Sequence, residues 1–146
     1  EKLGAITVQQ QSAGTFVGLL AKTQVSFFYY GYPLLEAPAV YRGIRVASLL
    51  DIALMKITAI SQRGRRRDFV DLYFICHEGY SLCDLLRRIP KKFSRLSYPS
   101  YHLLRALAYF DDAERDPSPR MLRRCDWPGV KQFFAGQVRE LAKELT

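Results

Sequence analysis

The chain has 146 residues, the size of one ordinary domain, and can bury roughly two thirds of its unfolded surface. Hydrophobic residues are 49% and aromatics 13%, which excludes a disordered chain, and no apolar run approaches the ~20 residues that span a membrane. Lys and Arg total 22 against 14 Asp and Glu, a formal charge of +8; the charge alone fits an anionic partner and a merely basic surface about equally, and the arginine-heavy clustering of the excess favours an anionic partner such as a nucleotide or nucleic acid.

Residues 5–30 read as strands. "AITVQQQ", "GTFVGLLAK" and "QVSFFYYGY" are β-branched and aromatic runs separated by polar turns, one of them near Lys22 and Thr23. Phe27 and Tyr29 face one way and Phe28 and Tyr30 the other, so this strand is expected to be covered on both sides by packed helices. Pro33 and Pro38 break the pattern, and "YRGIRVA" reads as one short strand with a glycine in it.

A helix is expected from Ser48 to about Gly64, with Asp51 at capping-box spacing from Ser48 and a wide apolar surface from Leu49 to Ile60. A second begins at Arg67 or Asp68 and ends at Gly79. A third begins at Ser81 and stops near Pro90, followed by the basic loop "PKKFSRLSYP". "SYHLLRALAYF" is a fourth, capped by Ser100; residues 111–120 read as a mobile polar connection, and Asp126 caps a last helix reaching Leu145. Strands over about 5–46 followed by helices over about 48–145 predict an α+β fold in a single unit, 1–146.

Cys76, Cys83 and Cys125 form no CxxC pair and, with His77 and His102, no zinc-type ligand string, so no metal site is assigned. An odd cysteine count without a secretory signal reads as reduced and cytoplasmic.

The chemistry concentrates in "DIALMKITAISQRGRRRDFVD", residues 51–71. Lys56 interrupts an apolar helix, so it must reach the edge or pair with an anion. Arg63 lies two helical turns on, pointing almost the same way, and two cations on one side of a buried helix suit a phosphate. Arg63, Arg65, Arg66 and Arg67 surround a glycine and offer planar donor forks to phosphate oxygens, although a solvated basic turn has the same composition. Asp68 and Asp71 are neighbours at a helix start. Asp68 also suits the helix dipole, and Asp71 could simply pair with Arg67, four residues before it. Asp51 lies about 140° round the helix from Lys56, so it reads as a cap that could still reach a site at the helix N-terminus.

At these residues the chain resembles the bacterial nucleotidyltransferase toxins of the abortive-infection type (AbiEii/AbiGii-like). The resemblance rests on Asp51–Lys56 in "DIALMK", on "RGRRRDFVDLYF", "YHLLRALAYFDDAE" and "WPGVKQFF", with "VSFFYYGYPLL" before them, and it covers nearly the whole chain. It implies a nucleotidyltransferase-like fold of antiparallel strands followed by a helical region, and transfer of a nucleoside monophosphate from an NTP to an acceptor that can be tRNA. It also implies a toxin working beside an antitoxin protein, and Mg2+ held by two carboxylates that follow a Gly-Ser loop. Lys56 would match the phosphate-contacting lysine, Asp68 and Asp71 the later acids, and Arg63, Arg67 and Asp51 the nucleotide-binding surroundings.

No Gly-Ser loop with a D-x-D pair stands in the sequence: "SAG" at 12–14 has no acids after it, and Asp111–Asp112 comes too late. The first residue is Glu, so the expectation is the C-terminal portion of a longer protein, a partial fold, inactive alone and prone to self-association. Two other readings compete: a non-catalytic nucleic-acid-binding fragment using Arg65 and Arg66, and a structural fragment whose charged segment is an ion-paired helix junction.

Overall fold

The turn at Ala21 and Lys22 shows how local chemistry sets the N-terminal region. Both residues have positive φ, 46° and 70°, and two left-handed residues in succession give the turn that matches the twist of paired strands. The computed structural model describes residues 5–143 and divides into two compact units between Tyr32 and Pro33.

The first unit is an antiparallel sheet of β1 (Ile6–Ser12), β2 (Thr15–Leu20) and β3 (Thr23–Phe28), in that order. A bulge lies between Val8 and Gln10. A Cβ at Gly18 on the central strand would meet Ile6 Cγ2 at 2.8 Å, so the glycine lets the two strands pair without displacing that side chain. The three strands match the sequence reading, but the cover expected over both faces of β3 does not. Phe27 and Phe28 remain 64% and 59% exposed, since this unit is a single layer.

The second unit opens with a hairpin of β4 (Ala39–Tyr41) and β5 (Ile44–Val46). The single strand expected over "YRGIRVA" is thus two, because Arg42 and Gly43, with φ of 49° and 79°, reverse the chain in a two-residue turn. Among the described residues six helices follow: α1 (Leu49–Arg63), α2 (Arg66–His77), α3 (Leu82–Lys92), α4 (Ser100–Leu107), α5 (Asp111–Arg115) and α6 (Trp127–Lys143). The α+β order of strands first and helices later is therefore present.

The helix ends follow their capping residues. Ser48 Oγ accepts from the Asp51 backbone N–H, and Gly64 closes α1 at φ 50°. Ser81 caps α3, which runs two residues beyond Pro90. Pro99, not Ser100, is the N-cap of α4. Part of the expected polar connection is the helix α5. Asp126 Oδ2 accepts from Gly129 N–H at 3.0 Å at the start of α6; residues 144 and 145, expected to end that helix, lie outside the described residues.

Apolar stripes of the helices make the core: Leu54 and Ile57 of α1, Phe69 and Leu72 of α2, Leu85 and Ile89 of α3, Leu107 of α4, and Phe134 of α6. Phe69 stands among the rings of Phe110, Trp127 and Phe134, with centroids 5.2, 6.0 and 5.5 Å away. Among the described residues no helix is long and apolar enough to cross a membrane.

Candidate functional site

α1 and α2 are joined by the tight turn at Gly64 and Arg65, which brings the charged faces of the two helices together. Lys56 reaches from α1 to α2. Its Nζ lies 2.8 Å from Asp68 Oδ1 and 2.5 Å from Asp71 Oδ2. Arg63 Nε lies 3.5 Å from Asp68 Oδ2. The predicted pairing of Lys56 with Arg63 on one side of α1, and of Asp68 with Asp71 on α2, is what makes this cluster.

The two acids differ in environment. Asp68 is 1% exposed and Asp71 51%. Oδ2 of Asp68 is buried without a hydrogen-bond partner, with Arg63 Nε 3.5 Å away. Burial disfavours the Lys56 charge, but hydrogen bonds from its ammonium to Asp68 and Asp71, and their attraction, outweigh this and raise its pKa above the usual lysine value. Asp71 therefore pairs across the helices with Lys56, not along α2 with Arg67.

The remaining predicted residues are distributed differently. Arg67 is exposed and forms no ion pair among the described residues. Arg65 is exposed; its carbonyl accepts from Asp68 N–H at 3.0 Å and Phe69 N–H at 3.4 Å, starting α2. Arg66, expected at a nucleic-acid surface, turns inward. Nε donates to Ala113 O at 2.9 Å, and the other nitrogens donate to Ser118 Oγ and Glu114 O at 3.0 and 3.2 Å. The guanidinium also stacks over Trp127 at 5.0 Å. These contacts occupy most of the Arg66 fork.

Asp51 is also elsewhere. It is fully buried and accepts from Leu35 and Glu36 N–H, Ser48 Oγ–H and Lys92 Nζ, the last at 2.6 Å. Burial disfavours its charge, but Lys92 and the other three donors hold its carboxyl below the usual range. Its oxygens are thus engaged by four donors of the chain. Lys92, also fully buried, donates to Pro33 O at 2.9 Å as well. Sequence reasoning placed Lys92 in a basic loop. Its only signal was its position three residues after the core residue Ile89.

Residues 30–140 match the family model described as nucleotidyl transferase AbiEii toxin, Type IV TA system. The chain belongs to the AbiEii family. It is also 36% identical over 143 residues to the uncharacterized protein aq_aa25 of Aquifex aeolicus (strain VF5), covering 96% of this chain and 68% of that one. No solved structure matches it.

The AbiEii match contains the whole Lys56–Asp71 cluster. Magnesium, implied by the resemblance, can be tested against these residues. A divalent ion needs about six oxygen ligands. Asp68 and Asp71 converge on one ammonium, with Arg63 beside them, and this donor set does not fit a magnesium seat by itself. Among the described residues no group of three or more His, Cys, Asp or Glu is arranged to hold a metal.

Proposed function

We propose that Lys56, Asp68, Asp71 and Arg63 form the phosphate-handling side of a nucleotidyltransferase site. There a nucleoside monophosphate passes from an NTP to an acceptor, tRNA being the acceptor that the family resemblance implies, in a toxin countered by an antitoxin. The observation behind this is the unequal hold on Lys56. Asp68 grips the ammonium from the buried side, whereas Asp71 holds it from the half-exposed side.

An incoming phosphate chain would replace Asp71 on the solvent side while Asp68 keeps the ammonium aimed. Arg63 presents its terminal guanidinium nitrogens to the same phosphates, its Nε facing Asp68. Asp71, once released, is placed to accept the proton of the acceptor hydroxyl. That oxygen attacks the α-phosphorus, and the bond to the pyrophosphate oxygen breaks. Arg67 adds positive potential from the exposed face of α2. These residues supply charge and positioning, not a metal seat.

Titration with labelled ATP tests this. Lys56→Met is expected to weaken saturable binding at least tenfold, about 1.4 kcal/mol. Asp71→Asn is expected to bind ATP as tightly or more tightly, since it removes a competitor for the ammonium. Unchanged affinity in Lys56→Met would overturn the reading. A second reading, an ion-paired junction of α1 and α2, is favoured by the complete internal pairing of Lys56; it predicts that these variants change stability and leave binding alone.

A further inference from the structure

We infer that the cleft bounded by α3, α4 and the C-terminal part of α6 binds an aliphatic carboxylate, a short fatty acid in its free anionic form. The inference stands apart from the nucleotidyltransferase reading and does not rest on it. The cleft has a volume of about 340 Å³. That volume lies within the ~300–1,000 Å³ typical of small-ligand sites. Its apolar lining is Cys83, Leu86 and Pro90 of α3, Leu104 of α4 and Leu141 of α6, and its polar groups are Arg87 and Ser100.

The apolar lining follows from the pattern of α3. Leu82, Leu85 and Ile89 turn into the core. Cys83, Leu86 and Pro90 fall beside them at spacings of three and four residues, which makes a second apolar stripe along the same helix. The cleft separates this stripe from α4 and α6, so Cys83 and Leu86 are only half-buried. An alkyl chain laid in the cleft would complete the burial that the fold leaves unfinished.

The polar groups call for an anion at one end. Arg87 stands one turn after Cys83, and its exposed guanidinium meets Asp84 only loosely, with Nη1 3.7 Å from Oδ1, beyond hydrogen-bond distance. Arg88 and Lys91, both exposed, add positive charge along the same helix. Ser100 supplies a hydroxyl where α4 begins. The planar fork of an arginine suits a carboxylate in two-point contact. Charge complementarity at Arg87 and the leucines behind it therefore fit a chain with one anionic end. A sugar or a nucleotide would instead lay its polar groups against Leu86, Leu104 and Leu141 without partners.

The test is calorimetric titration of the full chain with octanoate, octanol and butanoate. In parallel, alkylation of Cys83 by iodoacetamide is followed by peptide mass mapping, with Cys125, outside the cleft, as the reference. Octanoate is expected to bind at least ~tenfold more tightly than butanoate, because its extra methylenes are buried, and to slow alkylation of Cys83 but not of Cys125. Arg87→Gln is expected to weaken octanoate at least ~threefold and leave octanol unchanged. Asp84→Asn, which frees Arg87 of its acid, is expected to tighten octanoate about twofold or more, a gain that misfolding cannot produce. Octanoate binding no tighter than butanoate, unslowed alkylation of Cys83 at saturation, or parent-like octanoate affinity in Arg87→Gln would each overturn the inference. So would association with phosphatidylglycerol vesicles in the absence of octanoate binding, which would assign the basic face of α3 to a lipid surface instead.

Discussion

Asp51 and Lys92 form an ion pair that both residues bury completely, at 2.6 Å and with further donors on the carboxylate. Breaking such a pair leaves one uncompensated buried charge, which costs about 3–5 kcal/mol. Lys92→Met is therefore expected to lower stability by that amount in urea titration. The pair also sets an acid limit. The Asp51 carboxyl has a lowered pKa in the folded chain, so its contribution is present above the ordinary carboxylate value and is lost as pH falls through the folded one. Unfolding transitions followed below about pH 4 should show stability falling in the parent and much less dependence on pH in Asp51→Asn. The helix-capping part of this arrangement was legible in "SLLD". The partner was not, because Lys92 stands 41 positions away and nothing in local spacing announces it.

At the scale of elements, Arg66 shows why charge runs resist reading. In "RGRRRD" three adjacent arginines look alike, yet the helical turn of α2 sends Arg66 toward α5 and the start of α6 and leaves Arg65 and Arg67 in solvent. Arg66 spans three segments by hydrogen bonds to Ala113 and Ser118 and a stacked Trp127. Arg66→Lys keeps the charge but loses the planar fork, so it is expected to destabilise by about 1–3 kcal/mol, measured by thermal unfolding. Arg67→Lys, with no comparable partner, should stay near the parent. The hairpin of β4 and β5 has a similar lesson: "YRGIRVA" reads as one strand until Arg42 and Gly43 both adopt positive φ.

For the whole molecule, every buried hydrophobic side chain among the described residues lies beyond residue 48, within the unit that starts at Pro33. A chain beginning at Pro33 is therefore expected to keep a cooperative thermal transition by circular dichroism; a non-cooperative melt would show that the sheet is needed. The sheet itself leaves Phe27, Phe28 and Tyr29 exposed, a surface apt for self-association. Sedimentation should then show concentration-dependent assembly in the parent that weakens in Phe27→Ser.

By itself the sequence determined the order of strands and helices, the caps at Ser48, Gly64 and Ser81, and the AbiEii resemblance centred on Lys56 and Asp68. These follow from local spacing, which acts over a few residues. Tertiary structure alone decided which charges meet. It joined Lys56 to both Asp68 and Asp71, paired Asp51 with a buried Lys92, and turned Arg66 toward Ala113. The physical reason is that a charge's role depends on what lies within a few ångströms after folding, and those neighbours come from distant parts of the chain.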